Sequence, residues 1–164
     1  MTTPDPTLDL TALARAHDPR SRAQLVRSVH RVVRRYCRAL LGRSGRDFAP
    51  ADELAGRIAT SLLRERRDDF GGPEPAEAIV YTWMAPAVAQ AVEREDPRRP
   101  PPSAGPASPE RVHEQLAQLP PLPREVLVLR AFVGMTSEQT GRALGVAPEV
   151  VQREQARALA ALHR

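Results

Sequence analysis

The sequence predicts an all-α protein in which a proline-rich linker joins two small helical domains. The chain has 164 residues, of which 41% are apolar but only 4% aromatic, so its core must be built mainly from aliphatic side chains. These recur at helical spacing, and no alternating strand pattern is present. The stretch "EDPRRPPPSAGPASPE" at 95–110 holds six prolines and no large apolar residue, which is typical of an extended linker.

The first domain, 1–94, is predicted to contain four helices. A short one covers 8–16. A long one carries its apolar stripe through 25–41 and ends at Gly42. Two more are expected over 51–67 and 77–94. Pro86 lies inside the last of these and is expected to kink it.

The second domain, 111–164, begins with a helix predicted over 108–118. The sequence "LPPLP" then interrupts the chain. Proline ends helices because it lacks a backbone donor and clashes with the preceding turn. The next helix is predicted over 124–132, where Val126, Leu127 and Leu129 supply an apolar stripe.

The last two helices have the layout of a helix-turn-helix. Thr136 and Gln139 have the spacing of a capping box at the start of the first helix. Gly145 suits the turn and Pro148 the first turn of a final helix ending at Leu162. A helix-turn-helix places its second helix in the DNA major groove. A plain helical hairpin is the alternative that the spacing leaves open.

Basic residues are concentrated in one segment. The net charge is +4, and every basic residue other than histidine is arginine. Residues 22–46 contain eight arginines and no Asp or Glu. This segment is either a surface for an anionic partner or the solvated face of an amphipathic helix.

The sequence lacks the residue patterns of a metal site, of an enzyme and of a membrane protein. Cys37 is the single cysteine, and the four histidines are too scattered to predict a metal site. We therefore predict no metal and no cofactor. Neither paired carboxylates nor a phosphate loop indicates an enzyme. The first residues lack a signal-peptide pattern, and no apolar run would span a membrane, so we expect a cytoplasmic protein.

Several stretches resemble bacterial sigma-70 factors of the extracytoplasmic-function (ECF) type. The segment beginning "LPPLPREVLVLRAFVGMTSEQTGRALGV" is similar to their region 4. Further upstream, "VHRVVRRYCRALLG" is similar to region 2.1. "PADELAGRIATSLL" and "IVYTWMAPAVAQAV" stand where regions 2.2 and 2.3–2.4 belong. The resemblance spans about residues 20–164.

The resemblance implies a factor that binds core RNA polymerase and directs promoter-specific initiation, without enzymatic activity of its own. Its implied partners are core RNA polymerase, promoter DNA and an anti-sigma factor, with no membrane. The implied contacts to the −35 element are Thr136, Glu149, Gln152, Arg153 and Arg157. Those to the −10 element are Tyr81 and Trp83, for which core filling is the alternative role. Those to the polymerase are Arg35, Asp52, Leu54, Arg57 and Ile58.

The sequence departs from the family pattern at its polymerase-docking helix. Gly56 and Arg57 stand where the family has Gln and Glu. A charge inversion at a docking face changes the partner it fits. The alternative function is therefore a sigma-like interaction module or DNA-binding regulator that has lost full initiation activity.

Overall fold

A computed structural model describes residues 9–42, 47–94 and 109–163. The helices, in chain order, are α1 (Leu10–Arg15), α2 (Pro19–Leu41), α3 (Ala49–Glu65), α4 (Ala76–Arg94), α5 (Pro109–Gln118), α6 (Pro121–Leu127), α7 (Ser137–Leu144) and α8 (Pro148–Leu162). A 3-10 turn, Arg67–Asp69, follows α3, and a π-helical segment, Val128–Val133, continues α6. The predicted all-α fold is confirmed for the described residues.

The N-terminal half, 9–94, is ordered around α2. Asp9 and Asp18 cap α1 and α2, each accepting a hydrogen bond from a backbone N–H of the first turn. One face of α2 is buried against α3 and α4. The helix ends at Gly42, which adopts a φ of 66°, as the sequence predicted.

The helix α4 runs without interruption through Pro86, whose ring is exposed. The side chains that this helix buries completely include Val80, Met84 and Val88. Trp83, for which core filling is the alternative to a −10 contact, is only half-buried. Met84 and Val88 therefore serve packing.

In the C-terminal half, 109–163, helix α6 begins at Pro121, three residues before the predicted start. Proline is tolerated there because the first helical residues have no intrahelical partner for their N–H groups. Gly134 ends the π-helical segment with a φ of 90°, and its N–H donates to the carbonyl of Leu129.

The two halves share a continuous apolar core. Helix α4 packs against α7, and α2 packs against both α5 and the π-helical segment. The predicted linker, 95–110, lies outside the described residues except for its last two positions, which belong to α5. The proposed domain boundaries stay a prediction.

Within the described ranges, no helix is both long and apolar enough to cross a membrane. The same part of the chain contains no group of three or more His, Cys, Asp or Glu side chains placed to hold a metal ion.

Candidate nucleic-acid interface

Helices α7 and α8 form the predicted helix-turn-helix. The Thr136 hydroxyl accepts a hydrogen bond from the Gln139 N–H at 3.2 Å, and the Gln139 side chain accepts one from the Thr136 N–H at 2.8 Å. This reciprocal pair is the capping box expected from the sequence. It fixes Thr136, a predicted DNA contact, as the N-cap of α7.

The turn between the two helices depends on two glycines. Gly145 adopts a left-handed conformation, with a φ of 68°. At Gly141, a β-carbon would lie 2.6 Å from the carbonyl oxygen of Val146. No larger residue fits there unless the backbone moves, so Gly141 sets how closely the turn folds back on α7.

Helix α8 presents a polar face to solvent. Four predicted contacts to the −35 element are exposed there: Glu149, Gln152, Arg153 and Arg157. The opposite face buries Val151 and Ala158 completely, against α6 and α7. Over the described ranges 9–42 and 47–94, the N-terminal half makes no extensive contact with α8. The structure thus brings four of the five predicted residues together on one accessible helix face.

A buried carboxylate lies beneath this face. Glu154 is only 4% exposed, and its oxygens lie 3.1 Å from Arg157 Nη1 and 3.4 Å from Arg153 Nε. Hydrogen bonds from two guanidinium groups offset the free-energy cost of burying the Glu154 carboxylate. Glu154 is not one of the predicted DNA contacts. Its spacing from Val151 and Ala158, at i+3 and i+4, was the signal that it points inward.

The helix α6 and its π-helical continuation fix the position of α8. Arg130 donates from Nε to the Gln155 side-chain oxygen at 3.1 Å and also donates to the Met135 carbonyl. One side chain therefore joins the π-helical segment, the start of α7 and the middle of α8. The exposed residues of α8 are held on a supported framework.

The predicted −10 contacts occupy different environments on α4. Tyr81 packs edge-to-face on Tyr36, with ring centroids 6.3 Å apart, and is half-buried. Burial and the nearby Glu125 carboxylate raise the pKa of the Tyr81 hydroxyl above its usual value. Trp83 is also half-buried and lies 6.0 Å below the guanidinium of Arg66. The structure brings neither ring together with the face of α8.

The predicted polymerase contacts lie along α2 and α3. Asp52 accepts two hydrogen bonds from Arg38, at 2.7 and 2.6 Å, and this pairing lowers the pKa of the carboxyl group. Arg35 donates to the Val133 carbonyl at 2.8 Å. Arg57 is exposed, whereas Ile58 is 5% exposed and belongs to the core.

Leu54 is half-buried, and a β-carbon added to nearby Gly56 would meet no atom within 4 Å. The space beside Gly56 is therefore open. Of the five predicted polymerase contacts, Arg35 and Arg57 are exposed, Asp52 and Leu54 are half-buried, and Ile58 is buried.

An ionic cluster joins the two halves near the C-terminal end of α7, at the end opposite to the capping box. Glu77 is fully buried and accepts hydrogen bonds from Arg142 at 3.0 and 3.2 Å. Arg142 also donates to Asp9 at 3.2 Å, and the hydroxyl of Thr11 donates to Glu77. The pairing with Glu77 raises the pKa of Arg142 above its ordinary value. No local sequence pattern predicts this cluster, because Glu77 and Arg142 are 65 positions apart.

The comparisons with known proteins agree with this architecture. Residues 110–162 match the family described as Sigma-70, region 4. The chain is 34% identical over 171 residues to the ECF RNA polymerase sigma factor ShbA of Streptomyces griseus, covering 88% of this chain and 87% of that protein. It is 32% identical over 169 residues to the ECF RNA polymerase sigma factor SigD of Mycobacterium tuberculosis, covering 92% and 79%.

A solved structure also has this fold. CnrH, in its complex with the cytosolic domain of CnrY, superposes with a TM-score of 0.65. The two chains are 23% identical, and the superposition covers 97% of this chain and 96% of that one.

Proposed function

Because the chain belongs to the ECF group of the sigma-70 family, we propose that it binds core RNA polymerase and directs initiation at promoters whose −35 element contacts α8. The observation that supports this proposal best is the exposed face of α8. Gln152, Arg153 and Arg157 lie side by side on it, and the N-terminal half packs against α7 but makes no extensive contact with α8.

The chemistry of this face fits duplex DNA. Glutamine pairs with adenine in the major groove, and arginine pairs with guanine or with phosphate. Glu154 neutralises part of the charge of Arg153 and Arg157 while holding both guanidinium groups over one patch of the helix. Oriented arginines lose less conformational entropy on binding than unrestrained ones, so the arrangement favours specific over diffuse contact.

The N-terminal half is the proposed site for core polymerase and for the −10 strand. Arg57 projects from α3 into solvent, and Tyr81 and Trp83 each expose part of a ring that can stack on an unpaired base. In this function the chain performs no covalent chemistry. It contributes promoter selectivity to the polymerase that makes the RNA. An anti-sigma partner stays a prediction of the family resemblance.

In vitro transcription with purified core polymerase tests the proposal. A library of genomic fragments is transcribed with and without the protein, and the RNA 5′ ends are sequenced. We expect protein-dependent start sites that share sequence elements near −10 and −35. Absence of such transcripts, when a housekeeping sigma factor is active on the same core enzyme, would contradict the proposal. Co-purification with core enzyme in that case would favour the interaction-module alternative.

A further inference from the structure

The arginine-rich face of α2 has no role in the proposed promoter contacts. Helix α2 carries seven arginines over Pro19–Leu41 and no acidic residue. A groove of about 440 Å³ runs along this face. Its lining residues, which we call the arginine groove, are Val26, Arg27, His30, Arg31, Arg34, Arg35 and Arg38.

The groove is a linear array of cations. Arg27, Arg31, Arg34 and Arg38 are spaced by four, three and four residues, which places them on one side of the helix. At 1.5 Å rise per residue this stripe is roughly 16 Å long. It is therefore long enough to meet several successive charges of an extended polyanion.

Most hydrogen-bond partners described for the groove arginines are neutral groups, which leave the positive charge of those arginines uncompensated. Arg27 donates to the neutral side chain of Gln24 at 2.7 Å, and Arg35 donates to the Val133 carbonyl. Asp52 takes its two hydrogen bonds from Arg38. Arg34 is exposed, and its interaction with Asp52 is a coulombic one that lowers the pKa of that carboxyl group. Positive charge therefore remains on Arg27, Arg34 and Arg35.

The composition of the groove favours nucleic acid over protein as its occupant. The cores of protein–protein interfaces are depleted in charge and enriched in aromatic residues. Nucleic-acid interfaces are more polar and much more positively charged. Here the one aliphatic lining residue is Val26, which is 43% exposed, and the remainder are arginine or histidine. Guanidinium groups also match the bidentate geometry of phosphate oxygens.

We propose that the arginine groove binds the phosphodiester backbone of duplex DNA, independently of base sequence. The contact lies on α2, apart from the proposed −10 and −35 residues. It would add a salt-dependent, non-specific affinity that keeps the protein on DNA. The inference rests on the proposed function only in taking DNA as the natural polyanion.

The test measures binding of the full chain to a fluorescent duplex without promoter sequence, by anisotropy, across a range of salt concentrations and without polymerase. The variant is Arg27→Gln/Arg34→Gln. Each phosphate contact contributes about 0.9 to the slope of log K against log salt, so the slope should fall by about 1.8. If the two proteins bind equally at 1 M salt, that slope change corresponds to a loss of affinity of about 60-fold at 0.1 M salt.

Two controls interpret the result. Arg67→Gln/Arg94→Gln removes the same charge from exposed positions outside the groove and should change the slope far less. Arg27→Lys/Arg34→Lys keeps the charge and should retain most of the wild-type slope. All three variants alter exposed side chains, and equal unfolding midpoints by circular dichroism would show that each is folded.

Two outcomes would overturn the proposal. One is an equal loss in the groove variant and the Arg67/Arg94 control, which would indicate a general charge effect. The other is competition by poly-glutamate as strong as by DNA of equal charge, lost in the groove variant, which would assign the groove to an acidic protein surface. Because promoter-directed transcription is scored separately with core polymerase, either proposal can fail without the other.

Discussion

Arg142, in the first helix of the helix-turn-helix, forms a bidentate ion pair with Glu77, a carboxylate of the N-terminal half that is completely buried. The pair lies where α7 meets α4, and Asp9 adds a second carboxylate on the Arg142 side. The position of the DNA-binding half is thus coupled to a charge in the interior of the other half.

Replacing Arg142 with Gln should destabilise the protein strongly, because it leaves Glu77 buried without its cation. Breaking one side of a fully buried pair costs about 3–5 kcal/mol. Arg142 is one-third exposed, so partial hydration of the site moves the expected loss to about 2–4 kcal/mol. Urea unfolding measures it. The matched control is Arg64→Gln, which removes an exposed partner of Glu65 and should change the free energy of unfolding by less than about 1 kcal/mol. Equal losses in the two variants would show that Glu77 does not depend on Arg142.

Replacing each of two helical glycines with alanine should change the free energy of unfolding in opposite directions. At Gly141 the new β-carbon would lie 2.6 Å from the Val146 carbonyl oxygen, so we expect a loss of about 1–3 kcal/mol. At Gly56 nothing lies within 4 Å, so Gly56→Ala should stabilise the chain by about 0.5–1 kcal/mol. Thermal unfolding of both variants checks the pair. Destabilisation by Gly56→Ala would mean that α3 does not tolerate a side chain facing that space.

Arg153→Ala should weaken binding to a −35 duplex identified by the transcription experiment. A contact to a base or phosphate is worth about 1–3 kcal/mol, and the side chain is 65% exposed, so its removal should leave the fold intact. Fluorescence anisotropy measures the change in Kd. Ala156→Ser, on the same exposed face, is the control for disturbance of the helix. Unchanged affinity for Arg153→Ala would assign the reading of DNA to other residues of α8.

Glu154→Gln should strengthen non-specific DNA binding. The substitution removes the charge that compensates Arg153 and Arg157, so two guanidinium groups become available to phosphates. We expect tighter binding to random duplex and a smaller ratio of promoter to random affinity. Competition binding with both duplexes gives this ratio. A rise in affinity for the promoter alone would contradict the compensating role of Glu154.

Cys37 should make stability fall at alkaline pH. Burial, with a smaller contribution from Asp52, raises the pKa of its thiol from 9.0 to about 12. The unfolded chain therefore ionises first, so this contribution is intact below about pH 9 and is lost as the pH rises toward 12. The stability difference between wild type and Cys37→Ala should shrink across that window, by up to about 1.4 kcal/mol per pH unit. Urea unfolding at pH 8, 9.5 and 10.5 measures it. A constant difference would show that the thiol does not ionise on unfolding in this range.

Local chemistry made much of the fold predictable. The capping box at Thr136, the left-handed Gly145 and the N-terminal Pro148 each act within a few residues, so their effect can be derived from the sequence beside them. The exposed face of α8 followed from the same helical period. The start of α6 was misplaced because Pro121 was taken as an interruption when it occupies the first helical position.

The features that could not be predicted from the sequence are contacts between distant segments of the chain. Glu77 is an acidic residue in the first turn of a helix, a position that ordinarily faces solvent and favours the helix dipole. Its burial depends on Arg142 and Thr11, each about 65 positions away. The hydrogen bond from Tyr36 to Glu125, 2.7 Å long, joins positions 89 apart. No periodicity within one helix encodes such pairs.

The packing of the two halves against each other limits the length of DNA that the protein can contact at one time. Promoter elements named for −10 and −35 are about 25 base pairs apart, or roughly 85 Å at 3.4 Å per pair. A compact chain of this length has a radius of gyration of about 15 Å. A protein that reads both elements at once must therefore part its halves and expose Glu77 and Arg142 to water. The free energy of that separation is subtracted from the affinity for a promoter. The buried ion pair and the apolar core that the halves share therefore both limit how readily the protein extends along DNA.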